Sequence, residues 1–150
     1  MIAKFILTDD YRRPVFTFRV GNRHYSALLD TGAEIPVFTL GPAMMRDIGG
    51  SFVTSDAWFT GFGGRITGDL YRIDIKIGSI KYRSLPVICI HDPTMKFEFI
   101  LPATLFTGFC YTINDNAKML TVDTLSSATE YRFKAADGRD VMVIFDEHPE

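Results

Sequence analysis

Charge of one sign is what this sequence lacks. Sixteen Lys and Arg stand against 18 Asp and Glu, a formal net charge of -2. No basic patch follows from that balance, so neither a nucleic acid nor an anionic membrane is the expected partner. The longest basic cluster, Arg12-Arg13, reads as a solvated surface pair. Long hydrophobic runs are missing too. None approaches the roughly 18 residues that mark a membrane-spanning helix. The opening residues 1–7, mostly apolar but with Lys4 among them, are short and soon broken by Asp9-Asp10, too soon for a signal peptide. The cytoplasm is the expected compartment. Cysteine is scarce. Cys89 and Cys110 both sit among apolar residues and read as buried free thiols rather than a disulfide. His24, His91 and His148 are scattered and share no metal-ligand spacing with the cysteines. No metal and no cofactor is expected.

What is present is apolar bulk in a short chain. The 150 residues are 47% hydrophobic and include 13 Phe, six Tyr and one Trp. That fits one globular domain. A chain of this size buries roughly two-thirds of its unfolded surface, so it needs no disulfide or metal to fold. It is too short for two full copies of a domain. If its chemistry needs two symmetric halves, the second must come from another chain.

Period-two patterning dominates. Residues 2–7, 15–20, 24–29 and 35–40 read as strands, with Gly21-Asn22 as a tight turn. Gly41-Pro42 opens a loop or short helical turn through Met44-Met45. Residues 57–60 and 65–77 flank Gly61-Phe62-Gly63-Gly64, a hairpin with a glycine-rich tip. In residues 71–77, Tyr71 and the isoleucines point inward, while Arg72, Asp74 and Lys76 point outward. Residues 80–90, 97–101, 111–113, 119–122, 131–133 and 141–145 continue the strands. Residues 102–106 are the best helix, with proline in the first turn and Gly108 at the end. Trp58, Phe59, Val37, Phe38 and Leu40 suit either a pocket or the core.

One segment carries chemistry. In Ala27-Leu28-Leu29-Asp30-Thr31-Gly32-Ala33, two apolar residues lead a carboxylate into a turn of small residues. An Asp between apolar strands is costly unless its site satisfies it. Gly32 lets backbone amides approach that carboxylate, and Thr31 offers a short hydroxyl. The tripeptide alone also reads as a plain turn.

Its flanks add specificity. Arg13-Pro14 before an alternating strand, the segment around Asp30, the Gly61-Phe62-Gly63-Gly64 tip, and Phe99-Ile100-Leu101-Pro102-Ala103-Thr104-Leu105-Phe106 follow one another in order. Together they resemble the retropepsin family, the single-domain aspartic proteases, over residues 13 to 122. The resemblance implies an all-β fold. It would be a closed acid-protease β-barrel with one short helix in the C-terminal half and a glycine-tipped flap, working as a homodimer. Residues 1–123 would form that domain. Residues 124–150 would be a C-terminal extension, an extra β-hairpin packed on it. It further implies an aspartic endopeptidase acting on peptide or protein substrates. Asp30, Thr31 and Gly32 would be the catalytic triplet. Ala33, Glu34, Gly61, Phe62, Gly63 and Gly64 would bind substrate.

The chain departs from the family in length, since the 28 residues after Val122 exceed the typical retropepsin, and in two local places. Pro102 stands where the family has glycine, and proline removes an N–H beside the catalytic loop. Ala103 stands where the family has the arginine that pairs with the acid after the triplet, here Glu34. The partner chain's Arg13 is then the expected mate of Glu34. Peptide hydrolysis by this route needs two carboxylates around one water. Asp123-Thr124 lacks the glycine and Asp137-Gly138 lacks the threonine. The second carboxylate is therefore expected to be Asp30 of a second subunit. The departures leave an alternative open: a catalytically weak dimer that binds peptides without turning them over.

Overall fold

Strand forms wherever apolar and polar residues alternate. A computed structural model describes residues 3–7, 14–61, 64–92, 94–106, 109–124 and 130–145. Strand β1 (Ala3–Ile6) opens the chain. In β2 (Val15–Val20), Phe16 and Phe18 are buried while Thr17 and Arg19 face water. The turn at Gly21, with φ 61°, returns the chain into β3 (Arg23–Asp30). Then come β4 (Val37–Phe38), helix α1 (Pro42–Asp47), the long hairpin β5 (Ser51–Gly61) and β6 (Gly64–Ile77), then β7 (Ile80–Cys89) and β8 (Phe99–Pro102). A single 3-10 turn, Ala103–Phe106, leads to β9 (Phe109–Asn114), β10 (Met119–Thr124), β11 (Glu130–Lys134) and β12 (Asp140–Phe145).

Strands β1, β10 and β9 form a small antiparallel sheet. The larger sheet runs β11-β12-β7-β4-β8-β3-β2, and the β5–β6 hairpin joins it through β7. It curls into a half-barrel, so the fold is all-β. Strand β7 is the hub. One edge takes β6, and the other takes β12 near Tyr82 and β4 near Ile88.

Two features place the end of β3. The first is an aromatic core. The Phe99 ring lies 4.6 Å from Phe38, 5.4 Å from Phe18 and 5.8 Å from Tyr25. Such contacts add to simple burial and fix one packing. The second is Glu98. Its carboxylate takes the Arg23 guanidinium at 2.6 Å and the Ser26 N–H at 3.1 Å, while its own N–H donates to the Ser26 hydroxyl at 3.1 Å. That clamp sets β8 parallel to β3, in the register that puts Asp30 beside Pro102.

Four local expectations change. The α-helix is at Pro42–Asp47, with Pro42 in the first turn and Met45 buried. At residues 102–106 the strand runs through Pro102, which as its last residue forfeits little by lacking an N–H, and only the 3-10 turn follows. Strand β4 is cut to two residues, with Pro36 immediately before it. Cys89 is a buried free thiol as expected, but Cys110 faces out of the edge strand β9 and is exposed.

Arg72 also differs from its expected solvated place. It leaves the outer face of β6 but meets the turn between β11 and β12. Its guanidinium grips Asp137 at 2.5 and 2.7 Å and also donates to the Ser84 carbonyl. Both side chains of the ion pair are only 10% exposed. The C-terminal hairpin is thus held by a buried ion pair as well as by its ladder to β7.

Candidate active site

Asp30 ends a strand held on both sides. Leu28 and Leu29 are buried, and the Leu29 N–H donates to the Pro14 carbonyl at 2.9 Å. Past them the chain leaves the sheet and Asp30 emerges half-buried. The Gly32 N–H donates to Oδ1 of Asp30 at 2.9 Å, and the Ala33 N–H to the Asp30 carbonyl at 3.2 Å. This is a short side-chain-closed turn of the kind aspartate favours. Thr31 and Gly32 are exposed at its tip. Ala33 is buried against Val15, Leu28, Val37 and Ile100, which anchors the far side. Among the described residues, nothing bonds to Oδ2 of Asp30 or to the Thr31 hydroxyl.

Glu34 comes next and faces the β5–β6 hairpin. Its N–H donates to the Thr60 carbonyl at 3.1 Å, and its carboxylate accepts the Thr60 N–H at 2.8 Å. Apolar contacts reinforce that junction. Ile66 packs against the clusters that hold Ala33 and Ile35, and Phe59 and Ala57 pack against the second of these. Gly61 pairs with Gly64 across the hairpin, beside Thr60. Phe62 and Gly63 lie outside the described residues, as does Arg13. The structure therefore brings Asp30, Thr31, Gly32, Ala33 and Glu34 together with the end of the hairpin that bears Gly61 and Gly64.

Two glycines of this region differ in kind. A Cβ built on Gly68 would lie 2.6 Å from the Cys89 carbonyl oxygen, so β6 and β7 require glycine there. A Cβ on Gly32 would meet, among the described residues, only Oδ1 of Asp30, at 3.4 Å, an ordinary contact. The Gly32 φ is also outside the left-handed region. The described residues of one chain thus make no demand for glycine at position 32.

The C-terminal hairpin reaches the same neighbourhood. A cleft of about 220 Å³ lies between residues 34–36, Pro86, Pro102 and Leu105 on one side and residues 133–136 on the other. The sequence marks Thr60 only as part of a strand and Asp137 only as part of a turn that lacks the threonine of the triplet. No local signal marks their contacts, because their partners are 26 and 65 residues away.

Other chemistries find little support. Burial, then the nearby charge of Asp69, push the Cys89 thiol above its ordinary pKa, against a smaller opposing effect of a backbone hydrogen bond from Gly41. The thiol is a poor nucleophile in that state. Among the described residues no three His, Cys, Asp or Glu gather as a metal site. Nor is any helix among them long and apolar enough to cross a membrane.

A family model described as aspartyl protease matches residues 16–101, more than half of the chain, from within β2 to within β8. No curated protein matches the chain. With the Asp30-Thr31-Gly32 turn inside the matched span, the chain belongs to the aspartyl protease family and is retropepsin-like.

Proposed function

We propose that this chain is an aspartic endopeptidase whose working form is a homodimer, with one Asp30 from each subunit facing a shared water. The observation that carries the reading is the Asp30 turn. One carboxylate oxygen is fixed by the Gly32 N–H and the other is left without a partner among the described residues. Paired across a two-fold axis, two such carboxylates cannot both ionise cheaply and share one proton. The ionised member takes a proton from water. The resulting hydroxide adds to the scissile carbonyl carbon as the protonated member gives its proton to the carbonyl oxygen. Collapse of that adduct breaks the C–N bond, with the proton passing to the leaving amine. By family resemblance, Thr31 bonds across the axis and the Gly32 carbonyl receives the substrate backbone. The two half-barrels together would close the barrel. The β5–β6 hairpin acts as the flap, and the peptide lies as an extended strand between it and the floor. No cofactor or metal takes part. The cytoplasm, where two free thiols stay reduced, is the proposed compartment.

One observation favours a second reading. Pro102 sits in register beside Asp30 and offers no N–H there. On that ground the dimer would bind peptides and turn them over poorly. An unfolded polypeptide incubated with purified protein at mildly acidic to neutral pH separates the two. New termini by mass spectrometry support the endopeptidase. Peptide retained intact supports the binding module.

The glycines supply a further test. Among the described residues nothing sterically demands glycine at position 32, so a demand for it would come from what docks against it. Gly32→Ala is expected to change stability by less than about 1 kcal/mol. Cleavage is expected to fall by about a hundredfold or more, because the peptide or partner is displaced. Gly68→Ala should behave in the opposite way. It loses about 2 kcal/mol of stability from overpacking on the Cys89 carbonyl, with no specific defect per folded molecule. Urea unfolding and a cleavage assay on both variants check the contrast.

A further inference from the structure

Glu34, expected from the sequence to bind substrate, takes no part in the proton transfers just described, and within its own chain it is already engaged. It follows the Asp30 turn directly, yet its N–H and its carboxylate both bond to one residue of the hairpin. Its N–H and its carboxylate hold the two backbone groups of Thr60, at 3.1 and 2.8 Å. Among the described residues no cation bonds to this carboxylate, and position 103 on the nearby 3-10 turn is alanine. Thr60 in turn is one residue from Gly61, where the hairpin narrows to its tip. The pair of bonds is a one-residue β-bridge with a carboxylate in place of one carbonyl. It joins the loop that bears Asp30 to the β5–β6 hairpin.

We propose that Glu34 is a positioning residue that latches the β5–β6 hairpin onto the Asp30 loop of its own chain, and that a peptide must part this latch to lie between the two. The inference rests on the protease reading for its consequence, though not for the latch itself. A backbone strand placed between hairpin and floor needs the same edge of Thr60 that Glu34 now fills. The closed hairpin is therefore a competitor of the peptide. Apparent affinity is lowered by the fraction of molecules that are unlatched. A hydrogen bond to an ionised group is stronger than a neutral one, which suits a latch made of so few contacts.

Amide hydrogen exchange tests the latch without reference to activity. In the wild type the Thr60 amide is expected to be protected. In Glu34→Ala its exchange should quicken by about tenfold, while the Leu29 amide, held by Pro14, keeps its protection and shows the sheet intact. Glu34→Gln keeps an acceptor oxygen at the same reach and should restore most of the protection. Thr60 exchange unchanged in Glu34→Ala, or not restored in Glu34→Gln, overturns the latch. Kinetics test the competition. Glu34→Ala should lower KM by about threefold or more without raising kcat. A rise in KM would mean that Glu34 binds the peptide rather than excluding it, and would overturn the competition. If even the wild type cleaves nothing, the protease reading fails while the exchange result still judges the latch.

Discussion

Asp30→Asn is expected to abolish peptide cleavage and leave the fold in place. The loss should be about 10⁴-fold or more, the upper range for removing a group that moves a proton in the transition state. The reason lies in what asparagine keeps and what it loses. Its carbonyl oxygen still accepts the Gly32 N–H now held by Oδ1 of Asp30 at 2.9 Å, so the turn closes as before. Its amide cannot take a proton from water or share one with a second carboxylate. Leu28 and Leu29 remain buried in β3 and Ala33 remains anchored beyond the turn, so the melting temperature should scarcely change. Cleavage of an unfolded polypeptide, followed by mass spectrometry beside a thermal melt, reads both halves of this expectation. An inactive wild type with an equally inactive variant, both still binding peptide, points to the binding module instead.

The largest stability effect is expected at the Arg72–Asp137 pair. Removing Asp137 leaves the Arg72 guanidinium buried, with the Ser84 carbonyl as its remaining partner among those described. Both side chains are 10% exposed, so little water can compensate. Breaking one side of such a pair costs about 3 to 5 kcal/mol, much of it the penalty for the stranded charge. Asp137→Ala should therefore shift the urea midpoint sharply. The double variant Arg72→Met with Asp137→Leu removes both charges and should recover most of the loss, since the penalty belongs to the unpaired group rather than to the pair. The consequence should reach function as well. The hairpin that Asp137 tethers forms one wall of the cleft beside residues 34–36. A double variant that is no more stable than Asp137→Ala would contradict this view of the pair.

Much of this was legible in the sequence, and the limits are physical. The strands were readable where one face is buried and the other wet, as in β2 and in residues 71–77. Residues 51–56 escaped notice because β5 is irregular there. Its register against β6 shifts between Phe52 and Ala57, Asp56 has a φ of 55°, and the segment is exposed. Proline misled in one place and informed in another. At Pro42 it begins the helix, whereas at Pro102 it ends a strand, and only the β3–β8 pairing decides which. The Asp30 turn was legible because its chemistry is local, within four residues. The latch and the Arg72 pair were not, because tertiary packing alone brings Thr60 to Glu34 and Asp137 to Arg72.

The central claim is that two chains supply one catalytic pair. It is tested most directly by refolding wild-type and Asp30→Asn chains together in varied proportion and measuring cleavage. If each active centre needs Asp30 from both subunits, activity falls as the square of the wild-type fraction, to about one quarter in an equal mixture. If a single chain suffices, activity falls in simple proportion, to about one half, and the account of a shared pair is wrong.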